Sequence, residues 1–151
     1  MKKLEENLSY NIGVLAHLLR NHHNQVLMSF DLSFSQAKVL YFLHEFGEQS
    51  QSSLQKRLYI QPSSMNGLVE SMVKKNLIEK KESQLDRRTK LISLTEKGIE
   101  TEGRLREVRE EVETDLVSDF EPPERELLLS WLKKMTLRMQ QRNGQNEKEL
   151  K

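Results

Sequence analysis

Apolar residues recur at helical spacing along most of the chain. Leu4, Leu8, Ile12, Leu15 and Leu19 follow one another at intervals of three and four, the stripe of one helix face. They predict a first helix from Leu4 to about Leu27, which the stretch FDLSFSQ interrupts. Ser33 followed three residues later by Gln36 has the form of a capping box, so a second helix starts at Phe34. Its apolar face is Ala37, Leu40 and Leu43, with Phe46 at the end and Gly47 as the C′ stop. Ser50 caps a third, short helix carrying Leu54 and Leu58. A turn at Tyr59 to Gln61 leads to Pro62, suited to the first position of a fourth helix. Gln61 is a poor N-cap, so the start of that helix rests on Pro62. Met65, Leu68, Val69, Met72 and Val73 form its buried face, and Lys75-Asn76 its end.

From Ile78 the period changes. Ile78 to Ser83 and Thr89 to Leu94 are two short runs rich in β-branched and long polar residues, joined by Gln84 to Arg88. They predict a two-stranded ribbon with an exposed, charged tip. Thr95 caps a fifth helix with Ile99, Leu105, Val108, Val112 and Leu116 on one side. Pro122 and Pro123 open a sixth, with Leu128, Leu132, Met135 and Met139 on its apolar face. Arg142 to Lys151 is polar and reads as a frayed tail. The fold class is therefore mainly α with a two-stranded β-wing: a winged helix-turn-helix plus extra helices. With no internal repeat and no long linker, residues 1–141 read as a single domain followed by a polar tail, 142–151.

Composition narrows the function. The chain has 151 residues, enough for a real core, and no cysteine, which excludes a disulfide scaffold, a thiolate zinc site and a thiol switch within it. The opening MKKLEENLSYNIG is neither a signal peptide nor a membrane span, so the cytoplasm is the expected compartment and no membrane the expected partner. Charge is unevenly spread. Residues 50–94 hold nine Lys+Arg against four Asp+Glu, net +5, whereas residues 1–49 are net −1 and residues 95–151 net −3. A cationic middle in a near-neutral chain is the footprint of a phosphate-binding module.

That middle is also where the helix-turn-helix lies. The major groove of B-DNA is about 12 Å wide and admits one helix, whose N-terminal residues then face the base edges. Here those residues are Pro62, Ser63, Ser64, Asn66 and Gly67, all short or polar, with the apolar residues on the opposite face. Ser and Asn can bond base edges and phosphates, and the free N–H groups of a first helical turn favour a phosphate oxygen. Gln61, Ser50, Ser52 and Lys74 complete the candidate contacts on this motif.

DRRTKLISLTEKG (Asp86 to Gly98) resembles the wing signature of the MarR family of bacterial regulators: an Asp, an Arg two places on, a strand, then Leu-Thr and a Gly opening the next helix. Similar too are LSFSQAKVLYFL (Leu32 to Leu43), SQSSLQKRLYIQPSSMNGLVESMVKKNLIEK (Ser50 to Lys80) and PPERELLLSWLKKM (Pro122 to Met135), so the resemblance runs from about Leu4 to Met139. It implies a homodimer in which a DNA-binding lobe, about residues 34–94, is carried by dimerisation helices at about 4–28 and 95–141. It implies a repressor of transcription binding double-stranded DNA. Arg88 matches the wing arginine that enters the minor groove and Asp86 the acid that holds it by a salt bridge, with Arg87 and Lys90 beside them on phosphates. A planar, permanently charged guanidinium suits a narrow, electronegative groove. The resemblance also implies a small-molecule effector near the junction of the first, second and fifth helices, where helix phase suggests Leu15, His17, Arg20, Phe42 and Phe46.

Dimerisation follows from the residues as well. Three leucine-rich stripes flank a motif able to form its own small core, and a second copy with twofold symmetry is the simplest partner for them. Such a pair sets two recognition helices roughly 34–36 Å apart and reads a pseudo-palindrome. No metal or other cofactor is expected. His17, His22, His23 and His44 form no ligand set, since adjacent His22 and His23 diverge by about 100° on a helix. Adjacent acids such as Glu110 and Glu111 likewise face apart, and no phosphate loop, HExxH motif or nucleophile elbow is present, which argues against an enzyme. The other alternative is a protein-binding adaptor, which needs no exposed Arg at the tip of a basic lobe.

Overall fold

A computed structural model describes residues 3–149, with side chains described through residue 144. Six α-helices and three short strands follow in the order α1 (Leu8–Ser29), α2 (Phe34–Phe46), β1 (Gln49–Ser50), α3 (Gln51–Leu58), α4 (Pro62–Lys74), β2 (Ile78–Glu82), β3 (Lys90–Leu94), α5 (Glu96–Leu116) and α6 (Pro122–Glu149). The chain divides into two compact units, one ending at Arg106 and the other starting at Glu107.

The core lies in the first unit. Val39, Leu40 and Leu43 of α2, Leu54 and Leu58 of α3, and Met65, Val69 and Met72 of α4 close around Leu77, Ile78 and Ile92 of the ribbon and Leu105 of α5. Local signals set the helix ends. Ser33 and Gln36 form the reciprocal capping box at the start of α2, and Gly47 takes φ +72° after its end. Tyr59, at φ 55°, and Asn76, at φ 57°, turn the chain after α3 and α4 through the left-handed region. Gln36 is buried, and its Nε2 also donates to Ser71 Oγ at 2.9 Å, joining α2 to α4. The Thr95 hydroxyl accepts from the Gly98 N–H at 3.0 Å and starts α5.

The structure adds to these expectations and corrects others. β2 and β3 pair as the expected two-stranded ribbon, and β1 makes a third strand, in the order β1-β3-β2 and antiparallel throughout. Gln49 pairs with Ile92 and Ser50 with Leu91, which anchors the start of α3 to the ribbon. A two-residue strand has no periodicity of its own, so only its partner reveals it. The first helix does not run from Leu4: a single 3-10 turn, Leu4–Glu6, precedes it, and the Asn7 side chain accepts from the Tyr10 N–H to cap α1 at Leu8. Val73 and Ile99 are exposed, because α4 and α5 each turn a narrower stripe to the core than their apolar residues suggest.

In the second unit α6 carries on to Glu149, so the polar stretch from Arg142 is helical rather than frayed as far as the described residues go. The Glu124 carboxylate accepts from the Glu121 N–H at 2.8 Å and the Arg125 Nε donates to the Phe120 carbonyl at 2.7 Å, together building the start of α6. Of its predicted apolar face, Leu128 and Met135 are half-buried while Leu132 and Met139 are exposed. No helix among the described residues is long and apolar enough to cross a membrane.

Candidate nucleic-acid interface

Three elements of the first unit converge on one cleft of about 420 Å³. α3 and its N-cap contribute Ser50, Gln51, Ser52 and Gln55; α4 contributes Pro62 and Asn66; the ribbon contributes Lys80, Arg88, Thr89 and Lys90. Three of these ten side chains are cationic and none is acidic, so the cleft draws anions. β1 explains why it exists. By pairing with β3 it sets the N-terminus of α3 against the base of the wing.

The helix starts at the cleft are built differently. At α3 the Ser50 Oγ accepts from the Ser53 N–H at 3.1 Å and closes the cap. At α4 Gln61 gives no side-chain cap and Pro62 has no N–H, so the helix opens with its first turn uncapped by any side chain. An uncapped first turn is the better place for a phosphate oxygen. Ser63, Ser64 and Gly67 lie exposed along the same end of α4, while Lys74 is exposed at the opposite end of that helix.

In the wing Asp86 is bonded to its own turn. Its Oδ1 accepts from the Arg88 backbone N–H at 3.0 Å and its Oδ2 from the Thr89 hydroxyl at 3.2 Å. The Thr89 N–H donates to the Asp86 carbonyl at 2.9 Å. Each carboxylate oxygen thus accepts a bond from the turn, and no ion pair joins Asp86 to the Arg88 guanidinium among the described residues. Asp86 shapes the loop that carries Arg88 rather than gripping its head. Arg87 and Leu85 are exposed beside it. Lys90 Nζ meets Glu82 Oε1 at 2.7 Å across the two strands, and this hydrogen bond and charge hold the Glu82 carboxyl below its ordinary pKa.

The cleft therefore gathers Ser50, Ser52, Pro62, Asn66, Arg88 and Lys90 of the residues singled out in the sequence. Gln51, Gln55, Lys80 and Thr89 were not anticipated. Lys80 was one of several exposed cations, and only the strand pairing decides which of them faces α3.

Of the five residues suggested for an effector, one lines a cleft on α1 and two lie together against α3. Arg20 lines a second cleft of about 390 Å³ with Ala16, Leu19, His23 and Asn24 of α1 and Phe34 of α2. Phe42 and Phe46 are elsewhere. Their rings lie 6.3 Å apart, and the Arg57 guanidinium of α3 sits 4.0 Å from the Phe46 ring while its Nε donates to Gln49. His17 is paired with Asn21 on its own helix. His44 meets Arg106 Nη1 through Nε2 at 2.6 Å and the buried Glu102 through Nδ1 at 3.7 Å. No group of three or more His, Asp or Glu among the described residues is placed to hold a metal ion.

Comparison with known proteins fits this geometry. Residues 30–89 match the model of the MarR family. Over 75 residues, half of this chain and 49% of the relative, the sequence is 32% identical to YhbI, an uncharacterized HTH-type transcriptional regulator of Bacillus subtilis strain 168. It is 25% identical over 129 residues to YwoH of the same organism, also an uncharacterized HTH-type regulator, covering 83% of this chain and 91% of that one. MepR, a transcription regulator of the Staphylococcus aureus multidrug efflux pump MepA, is similar in structure at a TM-score of 0.75 and 26% identity, over 88% of this chain and 98% of its own. In its complex with DNA, MepR matches at a TM-score of 0.73 and 26% identity, over 86% of this chain and 96% of its own. The helix-turn-helix and wing of residues 30–89 thus match the MarR family, and the chain shares the winged helix-turn-helix fold of MepR.

Proposed function

We propose that the chain is a sequence-specific, DNA-binding transcription regulator that acts in the cytoplasm as a homodimer and represses by occupying a pseudo-palindromic operator. The observation that carries this reading is the cationic cleft shared by the two helix starts and the wing. α4 enters the major groove with Ser63, Ser64 and Asn66 toward the bases. Ser50, Ser52, Lys80 and Lys90 take phosphates, and Arg88 reaches the adjoining minor groove from the wing. The match of residues 30–89 to the MarR family and the likeness to the MepR–DNA complex support it.

Residues of about 34–94 form the DNA-binding lobe on this reading, and helices at about 4–28 and 95–141 the dimerisation region. The exposed apolar residues of those helices support the dimer: Leu8, Ile12, Leu15 and Leu18 on α1, and Leu129, Trp131, Leu132 and Leu137 on α6. Left in water they are a cost, and a second copy removes them from it. A small molecule that prefers the DNA-incompetent arrangement would release the operator. MepR bound to ethidium bromide, similar at a TM-score of 0.65 and 27% identity over 91% of this chain and 99% of its own, supports such a site.

Fluorescence anisotropy on a duplex from the region upstream of the coding sequence tests the reading. Binding is expected at low salt and to weaken steeply as salt rises, with sedimentation giving twice the 17.8 kDa chain mass. Arg88→Ala is expected to weaken binding about tenfold or more while leaving the dimer intact. Lys97→Ala is expected to do less, since that ammonium is engaged with the Lys75 carbonyl at 3.0 Å. No binding to any duplex at low salt would favour the adaptor instead.

A further inference from the structure

At the mouth of the cleft one side chain of α4 is tied to α3. Gln51 Nε2 donates to Asn66 Oδ1 at 2.6 Å, joining residues fifteen positions apart. Both line the cleft beside Arg88. The other end of the Gln51 carboxamide explains the orientation of the pair. Its Oε1 lies inside the protein with no hydrogen-bond partner. Turning the group over would bury an NH₂ with two unsatisfied protons in place of one oxygen, and orphaned donors are rarer in proteins than under-used acceptors. The amino group therefore faces outward, and the acceptor it finds is the oxygen of Asn66.

This has a consequence for reading a base. A free asparagine recognises adenine with both ends of its amide, the oxygen accepting from N6–H₂ and the nitrogen donating to N7. With its oxygen turned to α3, Asn66 is left with its NH₂ group for the groove, a donor alone. Guanine offers adjacent acceptors, O6 and N7, to such a donor, whereas adenine sets its own N6–H₂ beside N7. We propose that Gln51, by holding the Asn66 oxygen, makes this chain prefer guanine to adenine at the base that Asn66 meets. Gln51 is then a positioning residue for specificity. The inference rests on the DNA-binding reading above.

Selection from randomised duplexes, followed by anisotropy on the selected sites, tests it. Asn66→Ala identifies the position, as the one whose base preference it erases. At that position the unaltered protein is expected to favour guanine over adenine by about five- to a hundredfold, the range of a good base contact. Gln51→Ala frees the oxygen and is expected to move the preference to adenine there, with all other positions unchanged. Gln51→Glu can only accept, so it turns the Asn66 amide over and brings the bases that donate in the major groove, cytosine through N4–H₂ and adenine through N6–H₂, ahead of guanine. Its charge weakens binding to every duplex alike without re-ranking the other positions. Guanine retained in Gln51→Ala, a uniform loss of affinity without re-ranking, or an Asn66→Ala profile unchanged at every position would each overturn the proposal. Failure of the unaltered protein to bind any duplex would strike the DNA-binding reading instead.

Discussion

Gly98 is the third residue of α5, and nothing larger fits there. A Cβ added to it would lie 2.0 Å from the Leu77 carbonyl oxygen, 3.0 Å from the Leu77 carbonyl carbon and 3.2 Å from Leu94 Cδ2. The oxygen is not free to swing aside. It accepts from the Thr95 N–H at 3.1 Å, while the Leu77 N–H is held by the Met72 carbonyl at 3.0 Å. Gly98→Ala must therefore push the start of α5 away from the segment that begins β2, by about an ångström or more. Overpacking of this kind costs about 1–3 kcal/mol or more, and loss of the Thr95–Leu77 hydrogen bond adds about 1 kcal/mol. The greater helix propensity of alanine returns at most about 1 kcal/mol. The expected net loss is about 1–3 kcal/mol, a fall in Tm of roughly 2–12 °C for a chain of this size. Urea and thermal denaturation followed by circular dichroism measure it. Gly103→Ala, in the same helix with nothing within 4 Å of the added carbon, is the control and is expected to be neutral or to gain up to about 1 kcal/mol. If Gly98→Ala were as stable as the unaltered protein, the close approach of α5 to Leu77 would be wrong and the reasoning with it.

Other perturbations probe other joints. Gln36→Leu removes the acceptor of the Ser33 N–H and the donor to Ser71 at a buried position, and is expected to lower the urea midpoint by the equivalent of about 1–3 kcal/mol; an unchanged midpoint would deny it that role. Lys90→Met removes a cation that meets a phosphate, so the slope of log K against log salt should flatten by about 0.9, and an unchanged slope would mean that Lys90 faces no phosphate. Lys90→Met should raise the Glu82 pKa in an NMR titration. Because that pKa is depressed in the folded chain, the stabilisation by Lys90 is present above the ordinary carboxylate range and fades as pH falls through the depressed value. Glu102→Ala leaves His44 and Arg106 without the buried carboxylate they face at 3.7 Å and 4.0 Å, and is expected to cost about 1–3 kcal/mol in the same denaturation assay.

The cleft shows how far a linear reading reaches. Ser50, Pro62 and Arg88 were all legible as candidates for it, the first two because they start helices and the third because it sits in a charged ribbon tip. That Lys80, Gln51 and Thr89 join them was not, since nothing within a few residues of each says what faces it. Asp86 shows the same limit within a single loop. Its place beside Arg88 was legible, but whether its oxygens meet a guanidinium or a backbone N–H depends on how the turn closes.

The chain alone determined most of its helices and their caps, because those depend on interactions between residues a turn or less apart, and a change of period marked the ribbon. Ser33 finds Gln36, Pro62 starts α4 and Asn76 ends the turn after it, whatever lies elsewhere. Tertiary structure alone decided the third strand, the exposure of Val73 and Ile99, and the pairing of Gln51 with Asn66. Each of these is settled by a partner distant in the chain, brought close only when burying the core fixes α3, α4 and the ribbon against one another.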